Sequence, residues 1–82
     1  MRVMRAKMEL RKVEKLMHDM EILHFQAVSR SDGYPADGTD EDNTYAKFTP
    51  AGSVTLSVAN TALHNKFTPG QKFYLDFTIA DK

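Results

Sequence analysis

Three histidines, His18, His24 and His64, and a run of carboxylates, Asp32, Asp37, Asp40, Glu41 and Asp42, are the residues of this chain best equipped for chemistry. The histidines have no His-x-x-x-His spacing or other recognised metal-ligand spacing, and they read as ordinary imidazoles. The carboxylates suggest calcium, but an EF-hand loop needs glycine at its sixth position and glutamate at its twelfth. Counted from Asp40, the sixth position is Tyr45. The cluster therefore reads as a solvated acidic loop, with a cation site of another type as the lesser alternative. Ser, His and Asp all occur, yet no Gly-x-Ser-x-Gly elbow, P-loop or Gly-x-Gly-x-x-Gly accompanies them. Asp40 and Asp42 sit among like charges without apolar cover, so nothing in the pattern raises a carboxyl pKa for acid catalysis. The expectation is a protein that is not an enzyme, with no cofactor and no metal.

The elements that must carry these residues are legible mainly in the second half. Ser53 to Val58 alternates, with Val54, Leu56 and Val58 on one side and Ser53, Thr55 and Ser57 on the other, which is the period of a half-buried strand. Lys72 to Ile79 does the same with Phe73, Leu75, Phe77 and Ile79. Thr68-Pro-Gly-Gln71 predicts a type II turn, and Thr49-Pro-Ala-Gly52 a proline turn. Asn60 is a candidate N-cap for one short helix near residues 60–66, with Leu63 and Phe67 on one face. Tyr45–Phe48 is a short strand candidate. Ser29 to Thr44, with Asp32-Gly33 and Asp37-Gly38, predicts a long acidic loop over residues 29–44.

Residues 3–25 carry two periods. Val3, Ala6, Leu10, Val13, Met17, Met20 and His24 follow three- and four-residue steps, a helical stripe. Met4, Ala6, Met8 and Leu10 also alternate with Arg5, Lys7, Glu9 and Arg11, as do Leu23, Phe25 and Ala27 with their neighbours. Two strands alone make a marginal sheet, so strands at about 3–14 and 20–29 are expected, joined by a turn near Lys15–Met20. The predicted core is Met8, Leu10, Val13, Leu23, Phe25, Ala27, Val54, Leu56, Val58, Leu63, Phe67, Phe73, Leu75 and Phe77.

Charge is balanced overall, with eleven Lys and Arg against eleven Asp and Glu, but unevenly placed. Arg2, Arg5, Lys7, Arg11, Lys12 and Lys15 crowd the start, while Asp32 to Asp42 has no basic residue. Such a layout suits oriented docking, or simply two solvated faces. All five methionines, Met1, Met4, Met8, Met17 and Met20, fall in the first quarter, as core filler or adaptable interface. Small β-barrels bind single-stranded nucleic acid with exposed aromatics beside positive charge, and here only Tyr74 points outward, so nucleic acid is not an expected partner. With 82 residues there is one domain, 1–82, and its core is marginal. Cysteine is absent, which excludes disulfides and suits a reducing cytoplasm. No apolar run is long enough for a membrane span, and none follows the basic start as a secretory signal would. A soluble protein, with no membrane partner, is expected.

Glu41-Asp-Asn-Thr-Tyr-Ala-Lys-Phe-Thr-Pro-Ala-Gly, Leu56-Ser-Val-Ala-Asn and Phe67-Thr-Pro-Gly-Gln-Lys-Phe-Tyr-Leu-Asp-Phe together resemble a family of small proteins of tailed bacteriophages. Ala6-Lys-Met and Phe25-Gln-Ala-Val are similar to that family's first two strands, while Leu16–Met20 and Ser31–Gly38 match poorly. The resemblance implies a phage protein from or near the virion-structure genes, and it carries no catalytic residue across. The shared residues are turn and core residues, so they speak to fold.

The expected architecture is all-β: a five-stranded antiparallel sandwich or partly open barrel with one short helix. The expected function is that of a capsid decoration or cement protein, or a similar virion accessory, made in the host cytoplasm and located in the virion. Its partners would be the major capsid protein or other virion proteins, with self-association left open. Met1, Arg2, Val3, Met4 and Arg5 are the expected partner-binding arm. The alternative is a small intracellular phage module acting on nucleic acid or a host protein.

Overall fold

The computed structural model describes residues 2–81. Four strands, β1 (Arg2–Leu16), β2 (Met20–Ala27), β3 (Ser53–Val58) and β4 (Lys72–Thr78), form one antiparallel sheet in the order β3-β2-β1-β4. The β-rich class and four of the expected strands are present. The fifth strand, expected at Tyr45–Phe48, is not: those residues lie in turns and bends, and Phe48 takes a positive φ of 57°. The sheet is open and single-layered, 49 × 33 × 16 Å overall, rather than a sandwich or barrel. The short helix shrinks to a 3-10 turn at Thr61–Leu63, with the Asn60 side chain accepting from the Ala62 amide at 3.0 Å as an N-cap should.

The helical stripe in the first strand has a structural explanation. β1 pairs Leu10 with Phe25 but Lys12 with His24, so Arg11 is the extra residue of a bulge. An extra residue reverses the inside-outside alternation. Ala6, Met8 and Leu10 face the core before the bulge and Val13 after it. The three-residue step from Leu10 to Val13 is this reversal, and it imitates helical spacing in the sequence. The hairpin is closed by Met17–Asp19, where His18 and Asp19 both hold left-handed φ values of 64° and 57°.

The core is smaller than expected. Ala6, Met8, Leu10, Leu23 and Phe25 are buried, with Val13, Val54, Val58, Phe67, Phe73 and Leu75 packed around them. Phe73 meets Phe25 edge-on and also packs on Phe67, at centroid separations of 5.8 and 5.6 Å. Phe67 belongs to the link from β3 to β4. Its Thr68–Gln71 turn forms as expected, with Gly70 at φ 99° and the Gln71 amide donating to the Thr68 carbonyl. Leu56, Leu63 and Phe77, assigned to the core on period alone, are exposed because no second layer lies over the margins of the sheet. Ala27 is half-buried.

Candidate functional site

β1 is far longer than β2, so its first half runs past the end of its neighbour. β4 covers one edge of that overhang, and the long loop covers the other. The loop does so through Asn43, which is fully buried. Its side-chain oxygen accepts the Lys7 amide at 2.8 Å, and its side-chain nitrogen donates to the Val28 carbonyl at 2.8 Å and to Asp40 Oδ2 at 3.1 Å. Thr44 continues the docking, its amide donating to the Arg5 carbonyl and its hydroxyl oxygen accepting the Arg5 amide. Both Asp-Gly steps turn as expected, Gly33 and Gly38 lying at φ 75° and 77°.

Asp40 is 3% exposed. Burial works against its charge, but donation from the Asn43 side chain and from the Asp42, Asn43 and Arg30 amides outweighs it and holds the carboxyl below its ordinary pKa. Asp42, Glu41 and Asp37 of the loop are engaged as well. Asp42 accepts from the Tyr74 hydroxyl at 3.1 Å and pairs with Lys7 Nζ at 3.5 Å. Glu41 pairs with Arg30 at 2.8 Å, and Asp37 accepts from the Thr39 amide and hydroxyl. The acidic loop is thus a self-capped structural element. A hollow of about 470 Å³ beside it is lined by Thr39, Asp40, Glu41, Thr44, Tyr45, Ala46 and Lys47. The Asp40 carboxylate in its wall is already committed to the loop's own amides, and no group of three metal-ligating side chains occurs among the described residues.

One residue of the basic start, Lys7, reaches the acidic loop, at Asp42, while its neighbours Arg2 and Arg5 pair with β4 on the same polar side of the sheet. Arg5 grips Asp76 through two nitrogens at 2.7 and 3.1 Å, Arg2 approaches the same carboxylate at 3.6 Å, and the Arg5 guanidinium lies 4.3 Å over the Tyr74 ring. The hydrogen bond from Arg5 lowers the Asp76 pKa. Tyr74, 53% exposed, is stacked under Arg5 and hydrogen-bonded to Asp42.

The histidines do not converge. His24 Nε2 is 3.0 Å from Glu14, His64 Nε2 is 2.9 Å from the Val58 carbonyl, and His18 sits in the hairpin turn. Near the same end, Glu21 is 3% exposed on the core side of β2, held by Lys15 at 2.8 Å and by the Asn65 amide. Its hydrogen bond from Lys15 keeps its pKa low. This pair anchors the β3–β4 link over the hairpin end.

Of the expected partner-binding residues, Arg2, Val3, Met4 and Arg5 form the first part of β1, paired to β4 through Arg2–Thr78, Met4–Phe77 and Arg5–Asp76. Met1 lies outside the described residues. Val3, Phe77 and Ile79 are exposed together at this corner. Sequence reasoning missed Asn43 and Glu21. Asp-x-x-Asn in a turn-rich stretch signals local side-chain capping, but nothing local announces that the Asn will also finish a strand edge 36 residues away. Among the described residues no helix is long and apolar enough to cross a membrane. No family model, curated protein or solved structure matches this chain.

Proposed function

We propose that this chain is a non-enzymatic bacteriophage structural protein, a capsid decoration or cement protein or similar virion accessory, which stabilises the particle through contacts with the major capsid protein or other virion proteins. The observation that carries the reading is the thinness of the fold. The chain exposes 5808 Å², whereas a folded monomer of its 9.3 kDa mass exposes about 5000 Å². The difference, about 800 Å², is close to the area one partner gives to an interface of standard size. The second layer expected of this strand pattern would then come from a neighbouring protein. The resemblance of the turn and aromatic-strand motifs to tailed-phage proteins supplies the setting.

The corner built by Arg2, Val3, Met4 and Arg5, widened by Phe77 and Ile79, is the surface assigned to the particle. It combines exposed apolar side chains with a rim of arginine, the usual makings of a protein interface. Mass spectrometry of purified virions tests the reading: the protein should be present in many copies per particle. Absence from particles would contradict it and return the protein to the role of an intracellular binding module. Val3→Asp with Ile79→Asp, both at exposed positions, should abolish capsid occupancy while leaving the sheet folded.

A further inference from the structure

We infer that the outer edge of β3 is a self-association surface, which joins two copies of this chain by antiparallel pairing of β3 with its symmetry mate into one continuous eight-stranded sheet. The inference rests on the reading of this protein as an interaction module, and it names one partner and one surface. The two edges of the sheet differ sharply. β4 carries Lys72 and Asp76, and Asp76 is further held by Arg5 and Arg2, so this edge has the charged side chains that keep sheet edges from pairing. β3, Ser-Val-Thr-Leu-Ser-Val, carries none. The uncharged stretch extends from Phe48 to Asn65 with His64 neutral, in a chain where 27% of residues are charged. An edge rich in β-branched residues with no guarding charge is a template for another strand.

The Ala27 amide donates to the Gly52 carbonyl, extending the β2–β3 ladder one step beyond Gln26–Ser53. In an antiparallel ladder the direction alternates. Val54, Leu56 and Val58 therefore turn their backbone groups toward β2, and Ser53, Thr55 and Ser57 turn theirs to the outside. Among the described residues nothing pairs with that outer edge. A two-fold axis at Thr55 places Thr55 opposite Thr55 of the second copy and Ser53 opposite Ser57, in the narrow hydrogen-bonded geometry, about six backbone hydrogen bonds in all. The same register sets Val54 beside Leu56 of the other copy on the apolar side. Leu56 is 50% exposed in the single chain, and this pairing covers it. Each cross-strand pair then joins hydroxyl with hydroxyl or aliphatic with aliphatic, and no charge meets its like. Self-complementarity of this kind is what selects a second copy over an unrelated strand.

Sedimentation equilibrium tests the inference directly. At about 100 μM the protein should have a mass near 18.6 kDa, twice the 9.3 kDa of the chain. Thr55→Lys places two ammonium groups face to face on the axis and should return the mass to that of one chain. Its side chain is exposed in the single chain, so the fold itself should persist, as circular dichroism will show. The chain has no cysteine, so Thr55→Cys introduces a single thiol. The facing Cα atoms, about 5.5 Å apart in such a pair, lie within disulfide range. Oxidation should cross-link Thr55→Cys and leave Thr78→Cys, on the opposite edge, uncross-linked. A single-chain mass for the unaltered protein would overturn the inference, as would a dimer that survives Thr55→Lys or cross-links equally at both edges. Dimers of a protein absent from virions would sink the virion reading alone. Single chains abundant in virions would sink the dimer alone.

Discussion

The side-chain oxygen of Asn43 accepts the Lys7 amide at 2.8 Å, so one loop residue does for β1 what a neighbouring strand would otherwise do. The same side chain satisfies the Val28 carbonyl and braces Asp40. The long loop is thereby part of the sheet's edge rather than an appendage to it.

Asn43→Ala should therefore be among the most damaging substitutions outside the apolar core. It strips partners from a half-buried amide and a half-buried carbonyl together, at a cost of about 2–3 kcal/mol. Urea unfolding monitored by circular dichroism checks this. A loss below about 0.5 kcal/mol would mean that water replaces the side chain without difficulty.

Gly38 and Gly33 form a matched pair for testing the loop's fold. Both have left-handed φ values, but a Cβ on Gly33 meets open space whereas one on Gly38 runs into the Phe48 ring. Gly33→Ala should cost only the backbone term, about 1–2 kcal/mol. Gly38→Ala should cost visibly more, because Phe48, which also packs on Tyr34, must move. Equal shifts in melting temperature would show that Phe48 is not seated on Gly38.

Acid should unfold the protein through its paired carboxylates. Asp40, Glu21 and Asp76 all have folded-state pKa values below their ordinary ones. Each binds a proton more readily in the unfolded chain, so its contribution is complete above the ordinary carboxylate range and disappears as pH falls through the folded value. Stability should be flat above about pH 5 and decline steeply below about pH 4. Asp40→Asn should flatten part of that decline. An unchanged acid limb in the variant would show that Asp40 does not carry it.

Leu10 and Leu56 have the same chemistry and opposite surroundings. Leu10 is fully buried, and Leu10→Ala should cost about 2–5 kcal/mol. Leu56→Ala should cost less than about 1 kcal/mol in a dilute, dissociated sample and yet weaken self-association. Equal effects of the two on the dilute protein would mean that Leu56 is packed within its own chain.

Strand positions were legible in the sequence wherever alternation was uninterrupted. β3 and β4 follow from Val54-Leu56-Val58 and Phe73-Leu75-Phe77, and the Gly70 turn follows from Pro69-Gly70. β1 was ambiguous because the bulge at Arg11 breaks the period of two and substitutes a step that a helix would also take. The fifth strand was misassigned at Tyr45–Phe48 because alternation does not show that Phe48 adopts a left-handed φ to reach Gly38. Core membership failed at Leu56, Leu63 and Phe77 for another reason: period identifies the apolar side of a strand, but not whether anything lies on that side. The joining of Arg5 to Asp76 and of Lys7 to Asp42 depends on topology, and charge runs in the sequence do not encode it.

Amide hydrogen exchange at Thr55 tests most directly whether another chain completes this sheet. Its amide points away from β2, just as those of Tyr74 and Asp76 point away from β1 at the other edge. At high protein concentration the Thr55 amide should be protected while the Tyr74 amide exchanges freely, and dilution should remove the Thr55 protection. Equal, rapid exchange at both edges whatever the concentration would contradict the account.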